Sequence, residues 1–221
     1  MIVACWSPKP GSGTSVVTCA LATMWSRRGR GTLLVDLGGD AAAIMGRPTP
    51  PLGLGDILSG TGGHRLGEVS VPVDDRLDLI APGLAPTPVA HHPLWNRLAV
   101  ELSDRSRDGD LVFVDVGDGD VPGWLRDVTH HTVLVIRPCY LALRRAVEHP
   151  RAGDLADSVI VVSETDRALT ARDVAGVLNR PVVAEIPVHP DIARRVDAGL
   201  LTTRLPDRLA GPLSEFTESL E

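Results

Sequence analysis

Apolar and polar positions along the chain fall into two repeating patterns. Short, nearly unbroken apolar runs occupy residues 2–6, 32–36, 77–81, 111–115, 132–136, 158–162 and 182–186. Most are closed by an acid, a glycine or a proline. Runs of this kind mark strands covered on both faces, as in parallel sheets. Between them lie segments with helical spacing. Residues 16–26 follow a Gly-rich turn, and residues 94–102 carry apolar side chains at 94, 95, 98 and 102. Residues 124–128 and 141–148 are also helical in pattern. Thr170-Ala171-Arg172-Asp173 resembles a capping box opening a helix to Leu178, with Asp in place of Glu. Asp191 can cap a helix to Ala198, and Pro206 opens a final one. Short helices are expected at 41–46 and around 56–58, loops at 47–55, and the most mobile segment at 47–63.

About seven strands alternating with helices predict an α/β fold in one domain, 1–221. The sheet should be doubly wound and mainly parallel, with helices on both faces and right-handed crossovers. Ligands bind such sheets beyond the carboxyl ends of the strands. The loop after the first strand, Asp36, Asp115, Arg137 and Pro187 all fall at that edge.

That first loop is Lys9-Pro10-Gly11-Ser12-Gly13-Thr14-Ser15. A strand, a Gly-rich turn and a helix form the context of a phosphate-binding loop. The first N–H groups of the helix have no intrahelical partner, and the helix dipole favours an anion there. Ser15 occupies the position of the Mg²⁺-binding hydroxyl. The residue before it should be lysine and is Thr14. Lys9 is the only lysine among 22 basic residues; the rest are arginine. A compact ammonium on a flexible stem suits a phosphate.

Composition narrows the function classes. A net charge of −6 argues against a dedicated nucleic-acid binder. No apolar run approaches the ~18 residues of a membrane span, and no basic leader precedes the first strand. Cys5, Cys19 and Cys139 are widely spaced, so a cytoplasmic, disulfide-free protein is expected. His91-His92 and His130-His131 lack Cys or acid at ligand spacing and read as surface residues. No G-x-S-x-G elbow supports a hydrolase.

Lys9-x-Gly11-x-Gly13-x-Ser15 resembles the deviant Walker A loop of the MinD/ParA group, K-G-G-x-G-K-[ST]. Leu34-Val35-Asp36 resembles its second-strand acid, and Gly53-Leu54-Gly55-Asp56-Ile57-Leu58 its G-L-x-D-x-L helix start. Leu79-Ile80-Ala81-Pro82-Gly83 is similar to its third strand and Val112-Phe113-Val114-Asp115 to its Walker B strand. Ile186-Pro187, followed by His189 and Asp191, resembles the segment that wraps adenine. The loop itself is most similar to actinobacterial TadZ/CpaE/septum-site-determining-like proteins, where K-G-G-S-G-T-S loops occur.

The resemblance implies ATP or ADP with Mg²⁺ as cofactor. Residues 9–15 would hold phosphates, Ser163, Pro187 and His189 the base, and Ser15, Asp36 and Asp115 the metal shell. Lys9 and Asp36 would be the groups closest to catalysis. Strand-end acids also cap turns, and that reading of Asp36 and Asp115 stays open. In the family the first loop lysine reaches the partner's phosphates across a dimer and the second holds its own nucleotide. Lys9 matches the first; Thr14 replaces the second. Gly38 stands where a second acid often follows Asp36, and Ser163 or Glu164 where an asparagine often reads adenine.

A charge-assisted hydrogen bond contributes ~1.5–3 kcal/mol, so the missing lysine weakens binding by tens to hundreds of fold. It weakens phosphoryl transfer further. The implied function is a homodimeric positioning or scaffold factor with weak or absent hydrolysis. Its partners would be proteins of a Tad-type pilus, secretion or division system, which would recruit it to the pole or septum. The alternatives are a ParA-like ATPase switch on the nucleoid, with Arg144-Arg145 and Arg194-Arg195 touching DNA, and a pseudo-NTPase interaction module. The last helix carries Leu205, Leu209, Leu213, Phe216 and Leu220 on one stripe. Its polar face is acidic (Asp207, Glu215, Glu218, Glu221), which suits packing on the domain rather than anionic lipid.

Overall fold

The structure is a computed structural model describing residues 1–60, 63–87, 93–148, 156–165 and 167–220. His91-His92 lies outside the described residues. β1 (Ile2–Ser7), α1 (Thr14–Ser26), β2 (Thr32–Asp36) and the short α2 (Ala41–Ile44) open the chain. Next come α3 (Leu54–Ser59), α4 (Leu66–Val69), β3 (Val71–Pro72) and β4 (Leu77–Ile80). They are followed by α5 (Leu94–Arg107), β5 (Leu111–Asp118), α6 (Gly123–Arg126) and β6 (His131–Ile136). The last part holds α7 (Tyr140–Glu148), β7 (Ser158–Ser163), α8 (Ala171–Leu178), β8 (Val182–Pro187), α9 (Pro190–Asp197) and α10 (Asp207–Ser219).

The strands form one sheet in the order β3-β4-β2-β5-β1-β6-β7-β8. Every adjacent pair is parallel except β3–β4, which is antiparallel. The seven strands expected from the apolar runs are all present. The eighth, β3, is two residues long and ends in Pro72, so it has no run to betray it. The expected loop at 47–55 is shorter than predicted, because α3 begins at Leu54. Asp56 caps that helix, its Oδ2 accepting the Gly53 N–H at 2.8 Å. Its Leu54, Ile57 and Leu58 are buried.

The period-two alternation of the strands divides the core. Ile2, Ala4 and Trp6 of β1 point to one face, under α3, α5, α6, α7 and α8. Val3 and Cys5 point to the other, under α1, α2 and α10. Both faces are covered by helices, which is why these strands read as continuous apolar runs. α10 lays the expected stripe into the second core: Leu209 and Leu213 are fully buried and Phe216 nearly so, flanked by Leu205 and Leu220. Arg28 ties the helix to α1 through Glu218 at 3.2 Å. No described helix is long and apolar enough to cross a membrane.

His130 and His131 fasten the sheet. His130 Nδ1 accepts the Ile2 N–H at 3.1 Å, and His131 Nε2 lies 2.8 Å from Ser158 Oγ. Among the described residues no group of three or more His, Cys, Asp or Glu could hold a metal. Cys5 and Cys19 are free and fully buried, and burial pushes the Cys5 thiol up to about 12.

Candidate nucleotide site

The loop after β1 is shaped by its own polar side chains. Ser7 Oγ donates to the Lys9 carbonyl at 2.9 Å and accepts the Lys9 N–H at 3.3 Å; Ser12 Oγ donates to the same carbonyl at 2.8 Å. Gly13, at φ 91°, turns the chain into α1, and no side chain caps the helix. An L-residue is strained there. The first helical bond runs from Val17 N–H to the Gly13 carbonyl at 3.0 Å. The preceding N–H groups therefore point into the cleft without intrahelical partners. All seven residues from Lys9 to Ser15 line this cleft of about 550 Å³, with Gly38, Asp40, Gly117, Asp118 and Asp197 on its other walls.

Two acids converge behind the loop because their strands are neighbours: Asp36 of β2 and Asp115 of β5 are in register. Both are fully buried. Asp36 is held by the Gly39 and Ala41 N–H groups, at 2.6 and 2.9 Å. Asp115 Oδ1 accepts the Gly117 N–H at 3.1 Å, beside a register shift between β1 and β5. Its Oδ2 is buried with no hydrogen-bond partner. Burial raises both carboxyls, Asp115 to about 6; the Ser15 hydroxyl pulls Asp115 back, and the Asp36 charge pushes it further up. The described hydrogen bonds of Asp36 all go to this turn, and the residue borders a neighbouring cavity of about 220 Å³ with Trp95 and Trp124.

The residues fit a metal ion. A Cβ built on Gly38 would lie 3.1 Å from Asp115 Oδ2 and 3.5 Å from Ser15 Oγ. A glycine at 38 thus leaves room directly beside an orphaned carboxylate oxygen and a hydroxyl. Oxygen donors of this kind are what Mg²⁺ takes, completed by water and phosphate.

A second pocket of about 250 Å³ continues from the first, sharing Gly13, Val16, Val196 and Asp197. Val162, Ile186, Pro187 and Val188 give it apolar walls; Arg137, His189 and Asp197 are its ionisable ones. His189, rather than Asp191, is the N-cap of α9, its Nδ1 accepting the Asp191 N–H at 3.1 Å. Ser163 does not line the pocket; its Oγ lies 3.5 Å from the Ile186 carbonyl. Glu164 pairs with Arg137 at 2.6 Å and with Arg167. The apolar pattern puts Arg137 at the ligand edge and the resemblance marks Ser163 or Glu164; the pairing of Arg137 with Glu164, 27 positions apart, arises because β6 and β7 are neighbours. Asp197, at the junction of both pockets, carries no sequence signal at all.

This sheet order, the loop, the paired acids and the pocket at the β7–β8 ends define a P-loop NTPase fold of the MinD/ParA type. Individual solved structures bear this out along the whole chain. MinD from Pyrococcus horikoshii OT3, complexed with Mg-ADP, superposes with a TM-score of 0.79 at 18% identity, covering 100% of this chain and 95% of that one. A ParA family ATPase from Chlorobium tepidum TLS gives 0.76 at 19%, covering 98% of each. A plasmid partition protein from Borrelia burgdorferi B31 bound to AMPPNP gives 0.74 at 15%, covering 99% and 98%. No protein-family profile and no curated protein sequence matches the chain.

Proposed function

We propose that the protein binds a purine nucleoside di- or triphosphate with Mg²⁺ and works as a homodimeric positioning or scaffold factor. Hydrolysis is weak or absent. The observation that carries this reading is the loop itself. It keeps the left-handed glycines and outward N–H groups of a phosphate cradle, yet has Thr14 where a charge-neutralising lysine would stand. Backbone N–H groups suffice to hold phosphates. Neutralising a transferring phosphoryl group needs more, and a cationic contact there is worth ~10³-fold or more. Ser15, Asp115 and the space at Gly38 would hold the Mg²⁺, and Asp36 would shape the turn beside it. The metal would neutralise charge between phosphate oxygens and the buried acids.

Lys9 lines the cleft and also a second cavity with Arg137, Pro138 and Glu164. It forms no ion pair among the described residues, and we read it as the residue offered to a second copy. The neighbours named MinD and ParA support a division, partition or positioning role, and the loop's likeness favours a Tad-type pilus, secretion or septum partner recruiting it to pole or septum. Arg144 and Arg194 are engaged by Glu148 and Asp191, which disfavours a DNA-binding surface.

Calorimetry with ATP and ADP in Mg²⁺, turnover with and without DNA, and light scattering with nucleotide test this together. The expected result is binding, a nucleotide-dependent dimer that Lys9→Ala loses, and turnover near background. Robust DNA-stimulated turnover would favour a ParA-like switch instead. No binding at millimolar nucleotide would leave an interaction module without a ligand.

A further inference from the structure

We infer that the cleft selects a nucleoside diphosphate over a triphosphate, and that Asp40 and Asp118 set this preference by opposing a terminal phosphate. The inference rests on the nucleotide reading above and deepens it. The direction of a bound nucleotide follows from how the two pockets join. The second pocket, walled by Val162 of β7 and Ile186 and Pro187 of β8, meets the phosphate cleft at Gly13, Val16, Val196 and Asp197. In the sheet β7 and β8 lie on one side of β1, and β2 and β5 on the other. A phosphate chain that leaves the junction therefore crosses the N–H groups of the loop after β1. It ends against the wall that follows β2 and β5, made by Gly38, Asp40, Gly117 and Asp118. The first phosphates meet backbone donors; the last meets carboxylates.

Those carboxylates are held where they are by two glycines. A Cβ built on Gly117 would lie 3.1 Å from the Gly38 Cα, and one built on Gly38 would lie 3.4 Å from the Gly117 Cα. The two turns are thus in backbone contact, which keeps Asp118, next after Gly117, and Asp40, two residues after Gly38, on one wall. Both acids are exposed, and neither side chain forms an ion pair among the described residues. An ionised carboxylate accepts hydrogen bonds and donates none, so it has nothing to give a phosphate oxygen. Thr14 brings a hydroxyl to the loop in place of an ammonium. Lys9 is the one cation lining the cleft, against Asp40, Asp118 and Asp197. It also lines the cavity of Arg137 and Glu164, across β1 from Asp118. A triphosphate adds negative charge and acceptor oxygens at the end of the cleft that has least to offer them. A site of this kind rests in its diphosphate form, which suits a scaffold better than a switch.

Calorimetric titration of the full chain with ADP and with AMPPNP, which is not hydrolysed, tests this in Mg²⁺. ADP should bind about tenfold more tightly, the size expected of two solvated carboxylates a few ångström from an added phosphate charge. The gap should narrow at about 0.5 M salt, where such charges are screened. The double variant Asp40→Asn/Asp118→Asn should bind AMPPNP about tenfold more tightly than the parent does, with a smaller gain for ADP. A gain in affinity cannot come from a misfolded variant. Asp197→Asn, at the junction with the second pocket, should move both nucleotides in the same proportion. AMPPNP equal to or tighter than ADP in the parent would overturn the inference and leave the nucleotide function standing. A gap that survives the double variant would also overturn it, as would a gap closed equally well by Asp197→Asn, since the phosphates would then run the other way. Binding of neither nucleotide removes both readings.

Discussion

The two halves of the ligand edge carry opposite chemistry. On the β2–β5 side, Asp36 and Asp115 are buried, with Asp40 and Asp118 beside them, and the loop between offers Thr14 at the start of its helix and a single cation, Lys9. On the β6–β8 side, Arg137 and Arg167 share a single carboxylate, Glu164. The first half is short of positive charge and the second has it to spare. The difference explains why a net-acidic chain can still present an anion site: charge is separated along one sheet edge, with backbone N–H groups at the centre.

The largest test of this contrast is Asp115→Asn. A carboxyl raised from 3.8 to about 6 is neutral more readily in the folded chain than in the unfolded one. Its favourable contribution is therefore full below pH ~4 and is lost as pH climbs through about 6. About two units correspond to roughly 3 kcal/mol. Asp115→Asn, in Mg²⁺-free urea melts, should be more stable than the parent by an amount of that order at pH 7.5. It should reduce the slope between pH 4 and 6, the remainder coming from Asp36, whose carboxyl burial also raises. A slope as steep as the parent's would show that burial of this carboxyl costs nothing.

Thr14→Lys supplies a second cation to the acidic half. Nucleotide affinity should rise about tenfold to a hundredfold, the size of a charge-assisted bond, and the pH 4–6 slope should flatten because the ammonium lowers the Asp115 carboxyl. Unchanged affinity in a folded variant would mean that the loop's N–H groups already saturate the phosphates. The smallest effect is expected from Glu164→Gln. Its hydrogen bond to Arg167, helped by the charges of both arginines, holds this carboxyl below its ordinary value, so its support is present at neutral pH and is lost as pH falls below the ordinary glutamate range. The variant should abolish that acid-side loss, with a sign opposite to Asp115→Asn.

Much of this edge is legible in the linear chain. The strands announce themselves because both sheet faces are covered, and the loop because glycines, hydroxyls and Lys9 sit between a strand and a helix. Asp36 and Asp115 each close an apolar run, Asp36 at the end of β2 and Asp115 three residues before the end of β5. What is not legible depends on lateral order. That Glu164 meets Arg137 follows from β6 lying beside β7, and that Asp115 Oδ2 lacks a partner follows from the glycine at 38 across the β2–β5 pair. Two-residue β3 and four-residue α4 are too short for any period to show. Ser163 and Glu164 differ by one position at the end of β7, where the chain leaves its alternation and composition cannot say which side chain turns toward the site.

Lys9 has a practical consequence of another kind. It is the only side-chain amine in the chain, and it lines the cleft. An amine-directed reagent, terminus aside, becomes a reporter addressed to a single atom, Nζ of Lys9. Its labelling rate, followed by mass spectrometry, reads occupancy of the loop without any engineered tag. A short cross-linker with two amine-reactive ester groups that joins two copies through their side chains can do so only by bringing one Lys9 near the other.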